Sequence, residues 1–158
     1  MFFWLKIHTS SSFLGSPEFF ENDKGVKPDL DALGALGDLG WYCIGSIMWA
    51  VDQKQPTTVT AIPAVARNSA GVILSCSASM NWEEETVATF YCSFLDEYTQ
   101  DITVCASKGT LHIQDFILPY EENSAAFSFV SGAKFVDLHI GWNVKPQEEW
   151  LIICRKRC

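Results

Sequence analysis

Basic residues are scarce in this chain: Lys and Arg total 11 against 19 Asp and Glu, for a net charge of -8. A polyanion such as DNA is repelled by such a surface, so nucleic acid is excluded as a partner. The one basic run, Arg155, Lys156 and Arg157, reads as a solvated tail. No run reaches the roughly 20 apolar residues of a membrane span, so no membrane is expected. The opening Met1 to Leu5 is too short for a signal core and meets Lys6 at once. No C-x-x-C pair is present. The six cysteines, Cys43, Cys76, Cys92, Cys105, Cys154 and Cys158, are scattered and lack a metal-ligand spacing. They read as free thiols in a reducing compartment, and the protein as cytoplasmic. Ser is plentiful, but without G-x-S-x-G a hydrolase is disfavoured.

Apolar material, by contrast, is abundant: 48% of residues are hydrophobic and mean hydropathy is +0.09. At 158 residues this is one domain with ample core, and part of its apolar surface is expected to face a partner. Residues 33–51, LGALGDLGWYCIGSIMWAV, are apolar almost all round at helical length. Such a helix is expected to be buried on most sides, with Trp41 and Trp49 in the core. Asp38 and Tyr42 stand four apart, an acid and a phenol on one helical face. Their reason is structural or chemical: Asp38 as a cap after Gly37 and Tyr42 as a core phenol, or both as working groups.

Elsewhere the period is two. Residues 4–14 alternate as a strand. Ser16 and Pro17 open a short helix, and 21–31 is a polar loop. Pro56 stops the long helix. Residues 57–66 read as a strand in which Pro63 marks an edge or a bulge. The clearest strand is 72–82, with Val72, Leu74, Cys76, Ala78, Met80 and Trp82 on one face and Ser75, Ser77, Ser79 and Asn81 on the other. After an acidic turn at 83–85, residues 86–94 return with Ala88, Phe90, Cys92 and Phe94 on the dry face. Strands at 99–106 and 110–116, then 125–130 and 134–138, follow. Residues 150–153 are a strand or a ragged end. The class is α+β: an open, mainly antiparallel sheet with one long helix packed on its dry face. The opposite Ser/Thr face meets either water or a second sheet from a partner subunit.

The run from Val26 to Cys43, VKPDLDALGALGDLGWYC, resembles the start of the second domain of the glucose–fructose oxidoreductase / inositol dehydrogenase / MocA family. It is similar above all to the branch holding dimeric dihydrodiol dehydrogenases and related plant proteins. VILSC at 72–76, TVATF at 86–90 and KGTL at 108–111 carry the same likeness in order, which spans about residues 8–138. The resemblance implies an NAD- or NADP-dependent oxidoreductase acting on a carbinol of a sugar, polyol or dihydrodiol. It implies that this chain, 1–158, is the substrate-binding and dimerisation domain, with atypical ends at 1–5 and 148–158. Asp38 and Tyr42 then fall where the family's helix presents an acid and a His or Tyr to the nicotinamide, Tyr42 as general acid/base. A homodimer through the sheet face and a small-molecule substrate are implied for the full-length form.

The departures matter as much. No G-x-G-x-x-G follows a strand, so the Rossmann domain is absent and no cofactor is expected to bind this chain alone. The family's E-K-P lysine, which activates the phenol, belongs to that domain; Lys27-Pro28 is not that motif. The chain is expected to be a truncated product or a partial gene model, inactive alone. The alternative is a non-catalytic dimerising interaction module. His8, His112 and His139 read as structural or surface residues. Phe116, Tyr120 and Trp142 are aromatics able to line a substrate pocket, but none of them is taken as a site residue.

Overall fold

The N-terminal strand β1, Leu5–Ser12, lies in the middle of the sheet rather than at its edge. The computed structural model describes residues 4–83, 85–119, 124–131 and 134–141. From β1 the chain passes through α1 (Pro17–Asn22), a 3-10 turn (Lys24–Val26) and α2 (Ala35–Ala50). It then lays down β2 (Thr58–Arg67), β3 (Ile73–Asn81), β4 (Thr86–Ser93), β5 (Thr99–Ala106), β6 (Gly109–Gln114), β7 (Ser124–Ser131) and β8 (Lys134–Gly141). The eight-stranded order is β2-β3-β4-β1-β5-β6-β7-β8. Two meanders, β2 to β4 and β5 to β8, flank β1. It pairs parallel with β4 and antiparallel with β5. All other pairings are antiparallel, so the class is the expected one, α+β.

Side-chain alternation sets the layers. Ile7, Ala88, Phe90, Cys92, Cys76, Ala78 and Met80 form the dry floor beneath the helix. Val104, Leu111, Ile113 and Phe127 continue it across β5 to β7. Each large apolar side chain so buried contributes about 1.5–3 kcal/mol. α2 presses Ala35, Leu39, Gly40, Cys43 and Ile47 onto β4, β1 and β3. The fit is close: a Cβ on Gly40 would lie 3.3 Å from the Cys92 Sγ. Two dry-face hydroxyls of β1, Thr9 Oγ1 and Ser11 Oγ, are buried without a hydrogen-bond partner.

Local chemistry explains the ends of these elements. The Ser16 hydroxyl accepts the Phe19 amide at 3.1 Å with Pro17 opening α1, as the sequence implies. Phe13, Phe19, Phe20 and Phe94 stack in tilted and edge-to-face pairs, with centroids 5.0–5.4 Å apart, and seal this end of the core. Asn68 Oδ1 accepts the amides of Ala70 and Val72 at 3.0 Å each, closing the turn into β3. The bulge expected at Pro63 is present: the β2–β3 register shifts between Ile62 and Ala66, and Ala64 has φ 81. β2 is also the sheet's edge.

Three expectations need correction. The polar stretch 21–31 is not a plain loop. It ends α1 and forms the 3-10 turn, in which Gly25 and Val26 are buried. Asp23 Oδ1 accepts the Gly25 amide at 2.8 Å, and Asn68 Nδ2 donates to the Val26 carbonyl at 2.8 Å. The long helix is not buried on most sides. The sheet is a single layer, so one helical face meets it and the other stays bare. Trp41, expected in the core, is 73% exposed on that bare face, while Trp49 is partly buried. The readings placed on Tyr120, Trp142, residues 148–158 and the strand or ragged end at 150–153 lie outside the described residues.

Two glycines bracket what α2 demands. Gly34, its N-cap, has φ 54 and ψ -127, and a Cβ there would lie 2.2 Å from the Ile73 carbonyl oxygen. Gly45 sits mid-helix, and a Cβ there would meet nothing within 4 Å. Gly34→Ala is expected to lower the unfolding free energy by about 2 kcal/mol or more. Gly45→Ala is expected to raise it by about 0.5–1 kcal/mol. Urea titration of both variants checks the opposite signs.

Candidate functional site

The start of α2 is built by one carboxylate. Asp31 Oδ1 accepts the amides of Leu33 and Gly34 at 3.1 Å each. Leu33 and Gly34 are the two residues before the first helical residue, so the carboxylate fixes the turn that leads into α2. Gly34 supplies the backbone reversal but no side-chain cap. Asp31, three residues ahead of Gly34, thus orders the entry to the helix without capping its first turn, and the reading of Asp38 as a cap fails. The Asp38 amide is already inside the helix, donating to the Gly34 carbonyl at 3.0 Å.

Asp38 and Tyr42 project one turn apart on the bare side of α2, where Asp38 is exposed and Tyr42 is 46% exposed. The core-phenol reading of Tyr42 is thereby overturned. Trp41 and the open backbone of Gly45 share this side, with Leu30 and Leu33 exposed at the helix entrance. Desolvation by the surrounding apolar surface pushes the Asp38 carboxyl above its ordinary range. The carboxylates of Asp31 and Asp23 push the same way, and Lys24 offsets them in part. The chemical content is a phenol O–H beside a carboxyl whose proton is held more tightly than usual. A phenol and a carboxyl one turn apart are groups able to donate and accept hydrogen bonds with a hydroxylated molecule.

A dinucleotide's phosphates do not fit this helix end. The N-terminus that attracts anions in other folds is ringed here by the carboxylates of Asp31, Asp23 and Asp38, which disfavour an added anion. Among the described residues no group of three or more His, Cys, Asp and Glu is placed to hold a metal ion. Phe116, one of the aromatics considered for a substrate, packs against the core.

The second uncovered surface is the outer face of the sheet, and the sequence did not show its organisation. One lateral row crosses seven strands: Thr60, Ser79, Thr89, His8, Thr103, His112 and Ser128 are successive register partners. His8 Nδ1 hydrogen-bonds Thr89 Oγ1 at 2.9 Å. His112 Nε2 lies 3.6 Å from Asp101 Oδ1, and the Thr99 hydroxyl donates to Asp101 Oδ2 at 2.9 Å. Nearer the loop after β4, the Ser75 hydroxyl donates to Tyr91 Oη at 3.2 Å, and Tyr91 donates to Asp96. Hydrogen bonds from Ser93 and Tyr91 hold the Asp96 carboxyl below its ordinary range. His8 and His112 are 104 positions apart in the chain, so only strand register brings them into one row. The alternation of β3 and β4 had signalled a hydroxyl face, not its continuation through β1, β5 and β6. No described helix is long and apolar enough to cross a membrane.

Similar folds occur in solved oxidoreductases. A variant of KijD10, a 3-ketoreductase from Actinomadura kijaniata in complex with TDP-benzene and NADP, superposes with a TM-score of 0.71 at 15% identity, over 96% of this chain and 45% of that one. Aldose–aldose oxidoreductase from Caulobacter crescentus, complexed with glycerol, gives 0.68 at 17% identity, over 84% of this chain and 38% of that one. The WlbA dehydrogenase from Bordetella pertussis, with NADH and UDP-GlcNAcA, gives 0.58 at 16% identity, over 71% and 32%. These likenesses concern the fold, and the chain spans less than half the length of each of these structures. The sequence profile of the GFO/IDH/MocA C-terminal domain matches residues 5–112, which takes in β1 through β6 nearly to its end together with α2. The protein belongs to the GFO/IDH/MocA family and carries its C-terminal domain.

Proposed function

We propose that this chain is the substrate-side half of an NAD(P)-dependent oxidoreductase acting on a carbinol of a sugar, polyol or dihydrodiol. The observation that carries the reading is the Asp38–Tyr42 pair standing exposed on an apolar helix face that no other described element covers. A dinucleotide-binding domain is the occupant of that face. The chain accounts for 45% of the length of KijD10, which leaves room for such a domain, and Gly45 offers its approach an open step. The cofactor supplies hydride chemistry and in this reading is seated on the covering domain, the acidic start of α2 being a poor place for its phosphates.

Within that arrangement Tyr42 hydrogen-bonds the carbinol oxygen and exchanges its proton. An ordinary phenol, with pKa about 10, is a poor base at neutral pH. To act as a base such a phenol requires a neighbouring cation, which the covering domain supplies. Asp38 accepts a hydrogen bond from a substrate hydroxyl and fixes its orientation. In the polypeptide carrying both domains, Tyr42→Phe is expected to lower kcat by about 10²–10⁴-fold with a small change in KM. Unchanged turnover in a steady-state assay rejects the role.

The outer face of the sheet serves in this reading as a homodimer contact. It is flat and rich in small hydroxyls, and its row of imidazoles and hydroxyls gives it paired donors and acceptors. Cys43, Cys76, Cys92 and Cys105 are free thiols, which suits the cytoplasm. Sedimentation is expected to show a dimer that Thr103→Arg dissociates. A wild-type monomer at high concentration argues against this contact. Titrated with NADPH, the chain alone is expected to leave nicotinamide fluorescence unchanged. Micromolar binding there means that the phosphates have a seat in this chain after all.

A further inference from the structure

Directly under α2, two thiols face each other across neighbouring strands. Cys76 of β3 and Cys92 of β4 are register partners, and their Sγ atoms are 3.5 Å apart. Directly opposed residues of an antiparallel pair have Cα atoms about 4.5–5.5 Å apart, inside the window that a disulfide spans. Closing the bond to about 2.0 Å needs side-chain rotation and no rearrangement of the backbone. Neither thiol is used by the chemistry at Asp38 and Tyr42, and this inference stands apart from that reading.

We propose that Cys76 and Cys92 form a peroxide-responsive dithiol that closes to a cross-strand disulfide beneath the site helix. The two sulfurs are not equivalent. Cys76 is 8% exposed and Cys92 0%. The sulfur–sulfur contact and the Arg67 charge hold the Cys76 thiol below its ordinary range, and Cys76 is the more exposed of the two. The same contact and its burial keep Cys92 protonated. Cys43, also fully buried, has its thiol pushed up to about 11 and donates to the Tyr91 carbonyl at 3.7 Å, so it is not the attacking group.

The Cys76 thiolate attacks one oxygen of hydrogen peroxide. An S–O bond forms, the O–O bond breaks, and the leaving hydroxide takes a proton to become water. The Cys92 sulfur then attacks the Cys76 sulfenic acid. The S–S bond forms, the S–O bond breaks, and the second hydroxide leaves as water with the Cys92 proton. Two thiols lose two electrons, and one peroxide becomes two waters. A small neutral oxidant is required because this pair lies inside the helix–sheet interface. The Cys92 sulfur is the atom that a Cβ on Gly40 of α2 would approach to 3.3 Å, so shifting it to close the bond alters the surface on which the helix sits. Oxidation is thereby coupled to the helix bearing Asp38 and Tyr42.

The test exposes the folded chain to a few equivalents of hydrogen peroxide, quenches with catalase, alkylates under denaturing conditions and maps peptides by mass spectrometry. The expected product has lost two hydrogens and two alkylatable thiols, with the Cys76 and Cys92 peptides joined. In Cys92→Ser, dimedone is expected to trap a sulfenic acid at Cys76 at least tenfold faster than at Cys105. Six alkylated thiols after treatment, a bond between another pair, or Cys105 oxidised ahead of Cys76 overturns the proposal. Should Cys92→Ser fail to fold, the wild-type peptide map decides alone.

Discussion

The close seat of α2 on the strands β3, β4 and β1 is the constraint from which the rest follows. Small residues make it possible: Ala35, Gly40 and Cys43 on the helix meet Cys76, Ala88 and Cys92 on the sheet. Small side chains bring backbones near and leave little tolerance for added volume. With the helix axis so fixed, the azimuth of every other helical residue is fixed too. Asp38, Trp41, Tyr42 and Gly45 then have no choice but the outward side.

Among the described residues that geometry leaves two large surfaces without a partner, one on the helix and one on the sheet. They differ in chemistry. The helix surface is aromatic with an acid and a phenol set into it, which suits a dry contact enclosing a small ligand. The sheet surface is hydroxyls and imidazoles in register, which suits a wetter contact between copies. The chain matches the family's C-terminal domain, and the solved structure it superposes on is more than twice its length.

Much of the local structure is legible from residue order. Pro17 behind Ser16, the bulge at Pro63 and the dry faces of β3 and β4 each follow from short-range sterics or alternation. Long-range facts are a different matter. Nothing in residues 5–12 says that β1 becomes the central strand, parallel to β4, because strand partners are chosen by the whole core and not by either strand alone. Trp41 shows the same limit. Hydrophobicity predicts burial only when something exists to bury against, and one sheet layer covers one helical face. The polar stretch after α1 misled for a related reason: Asp23 and Asp31 look like solvent-facing loop residues, yet both spend their carboxylates on backbone amides.

By itself, then, the sequence determined the element types, the i to i+4 spacing of Asp38 and Tyr42, the hydroxyl face of the β3–β4 hairpin and the family likeness, since all of these are written in neighbouring residues. Only the tertiary structure decided that the acid and the phenol face outward, that His8, Thr103 and His112 share one row, and that Cys76 meets Cys92. Those relations depend on helix azimuth and strand register. Both are fixed by packing between segments far apart in the chain, which no local pattern encodes.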